Sequence, residues 1–286
     1  FYDHFSFLKA GICFSDAVIT VSESYAQEIQ TKQYGAGISD FIKMYSEKVD
    51  GILNGIDYDE WDPNSDKFVK YNLSIDTYEN KIKNKIDLTK EFGLPDGDTR
   101  PLFILISRLV KQKGIDFIIQ NSDFLVELEA NFIILGDGEK EIINKLEENF
   151  SNSNNFVVQI GYNEELAHRL YASADFLMMP SLYEPCGLNQ MIALKYGALP
   201  IVRATGGLKD TISDYSFGKD GDKGEGIVFE EPDGFTFMMS LMRAFSLYAN
   251  RDKFIGIIKE NMRCEFDWKH SAQKYEDLYS RLTKGE

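Results

Sequence analysis

From residue 101 onwards, short apolar runs rich in β-branched residues alternate with segments of helical periodicity. The runs are LFILIS (102–107), FIILG (132–136), FVVQI (156–160), FLMMP (176–180), LPIVR (199–203) and GIVFE (226–230). Their starts lie roughly 20 to 30 residues apart, which is the length of one strand followed by one helix. Strands that are apolar along their whole length are typical of a parallel sheet covered on both faces.

The alternation predicts an α/β fold with a doubly wound parallel sheet. Ligands of such sheets bind at the carboxyl ends of the strands, where loops lead into the amino termini of helices. The loops after the apolar runs are therefore the places to look for binding and catalytic residues.

The first fifty residues read differently from the rest. They contain a helix, the strand DAVITVS (16–22) and a second helix opened by Ser22, which make one βα unit with no sheet of its own to join. We interpret residues 1–50 as the end of a preceding, incomplete domain, and residues 51–286 as a ligand-binding domain that ends in two helices broken near Asp267.

Charge and cysteine content narrow the class of protein. The formal net charge is −15, which argues against a non-specific nucleic-acid binder, because phosphate backbones require a basic surface. No apolar run approaches the roughly 20 residues needed to span a bilayer. The three cysteines are far apart, so the spacing indicates neither a disulfide framework nor a zinc site, and a reducing compartment is expected.

The loop after LFILIS reads RLVKQKG and carries two cations before a helix. Arg108 offers a fork of donors and Lys113 a point charge, and the amide groups of a helix amino terminus complete a phosphate site. The alternative is a pair of solvated loop cations.

The loop after FLMMP reads SLYEPCGLNQ. Pro185 disfavours helical structure at Glu184, so the acid lies just outside the helix that follows. The backbone amides of residues 186–189 then point towards the space in front of that acid. A simple helix cap is the alternative, but the run of acid, thiol and glycine favours a ligand site.

Three further loops lie at the same predicted edge. In ATGGLKDT, Gly206 and Gly207 allow the backbone to approach another group closely, although a tight turn into a helix is an equal alternative. Tyr162 follows FVVQI and either stacks on a nucleobase or packs in the core. The turn Gly136–Gly138 is a weaker signal, since such turns also serve as plain connections. The convergence of these loops on one edge is the main evidence for a site.

Other kinds of chemistry find less support in the sequence. His4, His168 and His270 are scattered, so a histidine-based triad or metal cluster is not expected, and His168 is predicted to lie on a helix surface. Asp57 and Asp59 form an Asp-x-Asp pair that could hold a metal. They follow a turn and have no acidic companions, so we interpret them as part of a loop. Cys186 has no base nearby in sequence and is predicted to be a small buried contact residue.

At this point the motifs identify a family. SRLVKQKG, LGDGE, IGYNEELAHRLYASADF, PSLYEPCGLNQMIALKYGALPIVRATGGLKDT, LKAGICFSDAVITVS and GILNGIDYDEWDP resemble bacterial glycogen synthases and plant starch synthases, in order from about Phe7 to Leu282. The resemblance implies the GT-B fold, with two Rossmann-like domains around a cleft. It also implies transfer of glucose from ADP-glucose to the non-reducing end of an α-1,4-glucan, with retention at the anomeric carbon.

The resemblance assigns the catalytic residues. Arg108 and Lys113 would neutralise the diphosphate leaving group without a metal, and no other cofactor is expected. Glu184 would lie beside the donor glucose, hold a sugar hydroxyl and stabilise the oxocarbenium-like centre.

The remaining donor-binding residues are also carried over from the family. The backbone of Cys186 and Gly187 would hold sugar hydroxyls, and Leu188 and Asn189 would face the phosphates. The other residues assigned to the donor are Tyr162 (stacked on adenine), Asn54 (in the cleft), Thr205 and Gly206.

Two departures from the wider group of retaining GT-B enzymes are visible. Many of these enzymes carry a second Glu eight positions after the first. Ile192 fills that place here, as in the glycogen and starch synthases. The amino-terminal domain, with its Lys-x-Gly-Gly loop and acceptor surface, is absent, so we expect this chain to be inactive alone and to need that domain as its partner. The alternatives are a retaining transferase for another nucleotide sugar, such as UDP-glucose, and a non-catalytic sugar-nucleotide or glucan-binding module. The expected location is the cytoplasm, or a plastid in a plant.

Overall fold

Eight strands form two parallel sheets in the computed structural model, which describes residues 5–215 and 224–284. The strands are β1 (Val18–Thr20), β2 (Val49–Gly51), β3 (Leu102–Ile106), β4 (Asn131–Gly136), β5 (Phe156–Ile160), β6 (Phe176–Met179), β7 (Leu199–Arg203) and β8 (Ile227–Phe229). β1 pairs with β2, and the other six form one sheet in the order β5-β4-β3-β6-β7-β8. The strand order reverses between β3 and β6, which is the topological switch point of a doubly wound sheet. The predicted fold class is confirmed.

The helices cover both faces of the six-stranded sheet or extend the chain beyond it. They are α1 (Phe7–Phe14), α2 (Glu23–Glu28), α3 (Ser39–Lys43), α4 (Glu79–Glu91), α5 (Ile115–Gln120), α6 (Ser122–Leu125), α7 (Lys140–Phe150), α8 (Glu164–Ser173), α9 (Asn189–Lys195), α10 (Gly206–Thr211), α11 (Gly234–Ala249), α12 (Arg251–Asn261) and α13 (Trp268–Lys284). In the described part of the chain, no helix combines the length and the apolar character that a membrane span requires.

A row of four phenylalanines crosses the centre of the large sheet. Phe156, Phe132, Phe103 and Phe176 occupy paired positions on β5, β4, β3 and β6. Successive ring centroids are 5.3, 5.2 and 4.8 Å apart and the rings are nearly parallel. In-register side chains on one face of a sheet lie within contact distance, so this row fixes the alignment of the strands that lead to the switch point.

The first segment of the chain has a small sheet of its own, contrary to the sequence-based expectation. β1 and β2 pair from Val18 opposite Val49 onwards, and a small apolar cluster lies beside them, formed by Ile12, Ile38 and Ile42. β2 ends at residue 51, across the predicted domain boundary. The division at residue 50 therefore stays a prediction. The predicted break between the two last helices is present, since α12 ends and α13 begins on either side of it.

Helix α4 was missed because its buried face is mostly polar. Residues 62–90 are largely polar in sequence, and no apolar stripe marks a helix there. The buried residues of α4 are Lys81, Asn84, Lys85, Leu88 and Thr89.

The buried lysines of α4 are matched to acceptors at the ends of α8 and α9 and just before β6. The ammonium of Lys81 donates to the carbonyls of Tyr171 and Tyr196, each at 2.9 Å, near the ends of α8 and α9. Lys85 pairs with Asp175 at 2.9 Å, and both side chains are almost fully buried. Such contacts satisfy helix carbonyls that lack intrahelical donors, and they hold α4 against α8.

Lys81 should make the stability of the fold depend on pH. Burial lowers the pKa of Lys81 to about 7, far below the ordinary lysine value. The unfolded chain then binds this proton more tightly than the folded chain, so the free energy of unfolding rises with pH from about 7 towards 10, by up to ~1.4 kcal/mol per pH unit. Urea unfolding of Lys81→Met should lack this slope, and Lys83→Met, which alters an exposed lysine of the same helix, should retain it. Equal slopes in the two variants would contradict the assignment.

His168 is buried and does not lie on a helix surface as predicted. Its ring stacks on Trp61 with centroids 3.9 Å apart, and its Nδ1 lies 2.7 Å from a carboxylate oxygen of Asp66. The segment from residue 59 to 68 folds over this part of α8. That long-range cover cannot be predicted from the helical periodicity around His168. His4 lies outside the described residues.

Candidate functional site

The loops after β3 and β6 lie side by side at the carboxyl edge of the sheet. The amide of Leu182 donates to the carbonyl of Gln112 at 2.8 Å. Gly114 has a φ of 70°, and a Cβ at this position would lie 1.9 Å from the carbonyl oxygen of Pro180. A side chain at Gly114 would therefore separate the loops, and glycine lets them meet at the switch point.

Lys113 and Glu184 meet directly between these two loops. The Lys113 Nζ lies 2.5 Å from Oε2 of Glu184, and the Ser181 hydroxyl donates to the same oxygen at 3.1 Å. The side chain of Glu184 is only 8% exposed, so its charge is held by these donors and only slightly by water. The structure thus places a charged acid, with its orientation fixed, next to a cation at the edge where ligands bind.

Arg108 and Tyr162 line one cavity of about 330 Å³ at the same edge. The side chain of Arg108 is exposed, and among the described residues it makes a single hydrogen bond, a long one of 3.4 Å to Gln112, so the guanidinium can turn towards a ligand. Tyr162 is 88% exposed, which rules out the core position considered for it. An exposed ring and a guanidinium in one cavity fit a nucleotide.

The amino terminus of α9 opens towards this edge with free amide groups. Within the described residues, the backbone amides of residues 186–189 donate no hydrogen bond to another backbone group. The side-chain amide of Asn189 donates to the carbonyl of Ile106 at 2.5 Å and so joins α9 to the end of β3. Leu188 is 42% exposed. The amides remain available to an anion or to hydroxyl groups, and the predicted binding of the donor by them stays a prediction.

Cys186 is buried at the start of this helix and contacts the 51–57 loop. Burial raises the pKa of its thiol, and a hydrogen bond from the backbone of Asn54 partly opposes that rise. A thiol with a raised pKa is a poor nucleophile. The structure therefore brings Asn54 to the helix mouth and agrees with the small buried contact residue predicted at Cys186.

The glycine pair after β7 contacts the Glu184 loop through its backbone. The amide of Gly207 donates to the carbonyl of Glu184 at 3.0 Å. Thr205 and Gly206, predicted to bind the donor, contact a carboxylate of the first segment: the Gly206 amide and the Thr205 hydroxyl donate to Glu28 at 2.8 and 3.1 Å. Their role towards a donor stays a prediction.

Several residues of the site were not predicted from the sequence, or were indicated there only weakly. Gly136 and Asp137 line the cavity beside Arg108, although the sequence reading gave their turn little weight. Buried Arg203 donates from Nε to the carbonyl of Ser181 at 2.7 Å and supports the loop that carries Glu184. The signal that could have identified Arg203 was the presence of an arginine at the carboxyl end of an apolar strand. Glu28 lies in an ordinary helix and gave no signal.

Gly207→Ala is expected to destabilise the fold by about 2 kcal/mol, because an added Cβ would lie 1.9 Å from the carbonyl oxygen of Cys186 and force the two loops apart. Gly256→Ala is the matched control. It also lies in a helix, and nothing stands within 4 Å of the added Cβ, so this change should stabilise the chain by up to about 1 kcal/mol. Chemical denaturation of both variants measures the difference. Equal effects would show that the close contact has no energetic weight.

Two family models match the chain. The model described as glycosyl transferases group 1 matches residues 88–255, and the model described as starch synthase catalytic domain matches residues 1–44. The first match contains β3 to β8 and every loop of the site described above except the segment that carries Asn54.

Curated relatives extend the similarity over almost the whole chain. The chain is 41% identical to a glycogen synthase of Clostridium beijerinckii, over 99% of this chain and 59% of the relative. It is also 41% identical to a glycogen synthase of Cellvibrio japonicus, with the same coverage. The chain therefore spans about three-fifths of the length of the curated relatives it matches.

Solved structures show the same fold. The catalytic domain of starch synthase IV from Arabidopsis thaliana, bound to ADP and acarbose, has a TM-score of 0.88 at 37% identity, covering 96% of this chain and 57% of that chain. A sucrose-phosphate synthase from Thermosynechococcus elongatus has a TM-score of 0.64 at 18% identity, which shows the shared fold alone. The resemblance to glycogen and starch synthases is confirmed. Because the first family model matches more than half of this chain, the chain belongs to the group 1 glycosyl transferases.

Proposed function

We propose that this chain is the donor-binding part of a glycogen synthase, which transfers glucose from ADP-glucose to the non-reducing end of an α-1,4-glucan with retention at the anomeric carbon. The similarity to glycogen synthases and to a starch synthase solved with ADP and acarbose supports the choice of donor and acceptor. The relatives extend beyond this chain, so the acceptor side of the cleft is assigned to the amino-terminal domain, as expected from the sequence.

The observation that carries the proposal is the contact between Lys113 and Glu184 at the switch point of the sheet. Lys113 enters from the loop after β3 and Glu184 from the loop after β6, and their charged atoms lie 2.5 Å apart. The free amides at the start of α9 and the cavity with Arg108 lie at the same edge. These are the donors that a diphosphate and an adjoining sugar would need.

The proposed chemistry assigns opposite charges to two ends of one breaking bond. As the glycosidic bond stretches, negative charge grows on the diphosphate, and Arg108, Lys113 and the α9 amides stabilise it without a metal. Positive charge grows on the anomeric carbon, and the carboxylate of Glu184 stabilises it from a position that is already fixed. Groups oriented before the reaction need no reorganisation in the transition state, which lowers the barrier. Lys113 lies between the two charges and can keep its contact with Glu184 while it binds phosphate.

The test is incorporation of labelled glucose into glycogen by the full-length protein, with ADP-glucose and UDP-glucose compared at equal concentration. The proposal expects ADP-glucose to be preferred by kcat/KM, and the isolated chain to bind ADP without turnover. Preference for UDP-glucose would replace the donor, and glucan binding without any turnover by the full-length protein would favour a binding module. We also propose a cytoplasmic location, in keeping with the bacterial relatives.

A further inference from the structure

A second, smaller cavity lies beside α8 and is lined by residues different from those of the cavity that holds Arg108 and Tyr162, here called the nucleotide cavity. Its volume is about 150 Å³, and it is formed between the first turns of α8 and the segment that covers them. Ala167 of α8 lines the nucleotide cavity, whereas Glu164 and His168 line this one. The residues around it are Asp59, Glu60, Asp62, Ser65, Asp66, Lys67, Phe68, Glu164 and His168.

Three potential metal ligands converge at this cavity. One ligand atom from each of Glu60, Glu164 and His168 lies within 4.8 Å of the other two. The two glutamates are exposed and come from different segments, while His168 is 1% exposed. An acidic cluster alone would be an ordinary feature of a chain with so many carboxylates, so the state of the histidine decides the matter.

The buried histidine has one ring nitrogen without a partner. Nδ1 lies 2.7 Å from Oδ2 of Asp66, and the hydroxyl of Tyr196 donates to the same oxygen at 2.6 Å. A carboxylate accepts and does not donate, so Nδ1 carries the proton shared with Asp66, and Nε2 is the ring nitrogen available as an acceptor or metal ligand. Nε2 is buried and makes no hydrogen bond in the described part of the chain. A buried acceptor left unpaired costs free energy unless a further group binds it.

The ring is also held in a fixed orientation. It stacks on Trp61 with centroids 3.9 Å apart at 5° and lies 5.1 Å from the ring of Phe68. A histidine whose Nδ1 donates to one carboxylate, and whose ring has a nitrogen within 4.8 Å of two further carboxylates, resembles the arrangement around protein-bound metals, where the outer carboxylate orients the ring. Imidazole and carboxylate together suit zinc and neighbouring divalent ions better than Ca²⁺ or Mg²⁺.

We propose that Glu60, Glu164 and Nε2 of His168 bind a divalent ion of the Zn²⁺ type, with Asp66 as the residue that orients the imidazole. The site lies apart from Lys113 and Glu184 and takes no part in the transfer reaction. A bound ion ties the 59–68 segment to the first turn of α8, two residues after Tyr162. The proposal is independent of the proposed function, since it needs no donor and no turnover. It replaces, for this cavity, the sequence-based expectation of no metal.

The experiment titrates Zn²⁺ into the full-length protein after chelator treatment, by calorimetry, and repeats the titration with Co²⁺ by visible absorption. The expected result is one ion per chain, with Glu60→Gln and Glu164→Gln each weakening binding by about tenfold to 100-fold. Glu165→Gln is the matched control. Glu165 lies on the same first turn of α8 but lines a different cavity. The Zn²⁺ affinity of this variant should therefore stay within about twofold of that of the unmodified protein.

A second measurement identifies the histidine, because His168→Gln itself risks unfolding. Addition of Zn²⁺ should shift the ¹⁵N resonance of one buried Nε2, and that shift should persist in His270→Gln, which removes the exposed histidine beside Asp267. Absence of binding at micromolar Zn²⁺, unchanged affinity in both glutamate variants, or loss of the shifted resonance in His270→Gln would each overturn the proposal.

Discussion

In the full-length protein, Glu184→Gln is expected to lower kcat for glucose transfer by about 10³-fold while the affinity for ADP stays within about threefold. The amide has nearly the shape of the carboxylate, so the loop after β6 should keep its fold. On the proposed mechanism, the substitution removes a negative charge beside the anomeric carbon, which acts in the transition state and contributes little to binding of the leaving group. Lys113, freed from its 2.5 Å contact with Glu184, remains available to phosphate.

The measurement pairs initial rates with ADP calorimetry on the same preparation. Glu231→Gln removes an equal charge from an exposed position after β8 and should change kcat by less than about twofold. If Glu184→Gln lost less than tenfold in kcat, the carboxylate would have no role in the transition state. If both kcat and ADP affinity collapsed, Glu184 would serve mainly to hold Lys113 and the loop, and its assignment to the sugar would fail.

The large sheet could be predicted from the sequence because its strands are buried on both faces. Such strands are apolar throughout, so each of the six predicted runs matches a strand to within about two residues. The paired strands at the start of the chain were harder to predict. β1 and β2 have three residues each and are joined across a long segment, so local pattern does not reveal their pairing.

The position of the site could also be predicted, because it follows from topology. Loops after neighbouring parallel strands meet at one edge, which places Arg108, Lys113 and Glu184 together once the strand order is known. The finer arrangement could not be predicted. No sequence motif indicates that Lys113 pairs with Glu184, or that Glu28 from the first segment contacts Gly206.

The remaining differences between the sequence-based predictions and the structure arise where polar side chains are buried. Lys81 and Lys85 make the inner face of α4 look like an exposed surface, and His168 has the neighbours of an exposed helical residue. Each is buried because partners distant in sequence satisfy its hydrogen bonds or cover it. Hydrophobic periodicity reports apolar burial only, so polar burial requires the tertiary structure.

Lys113→Ala is expected to weaken ADP binding by about 100-fold and to lower kcat for transfer at least as much. The side chain of Lys113 is only 17% exposed and lies where water screens its charge poorly, so on the proposed mechanism its loss removes a strong contact to the diphosphate. It also leaves Glu184 as a partly buried carboxylate next to the incoming phosphates. That like-charge repulsion adds to the loss of the cation.

Lys111→Ala separates this effect from a general loss of positive charge. Lys111 lies on the same loop, two residues away and exposed, so its removal changes the net charge equally without touching Glu184. Calorimetry should then show ADP affinity within about threefold of the unmodified protein for Lys111→Ala. Unchanged affinity in Lys113→Ala would mean that Arg108 and the α9 amides hold the diphosphate unaided and that Lys113 serves only to orient Glu184. In that event Lys113→Ala would lower kcat without altering ADP binding, so the two readouts together distinguish a phosphate ligand from a positioning residue.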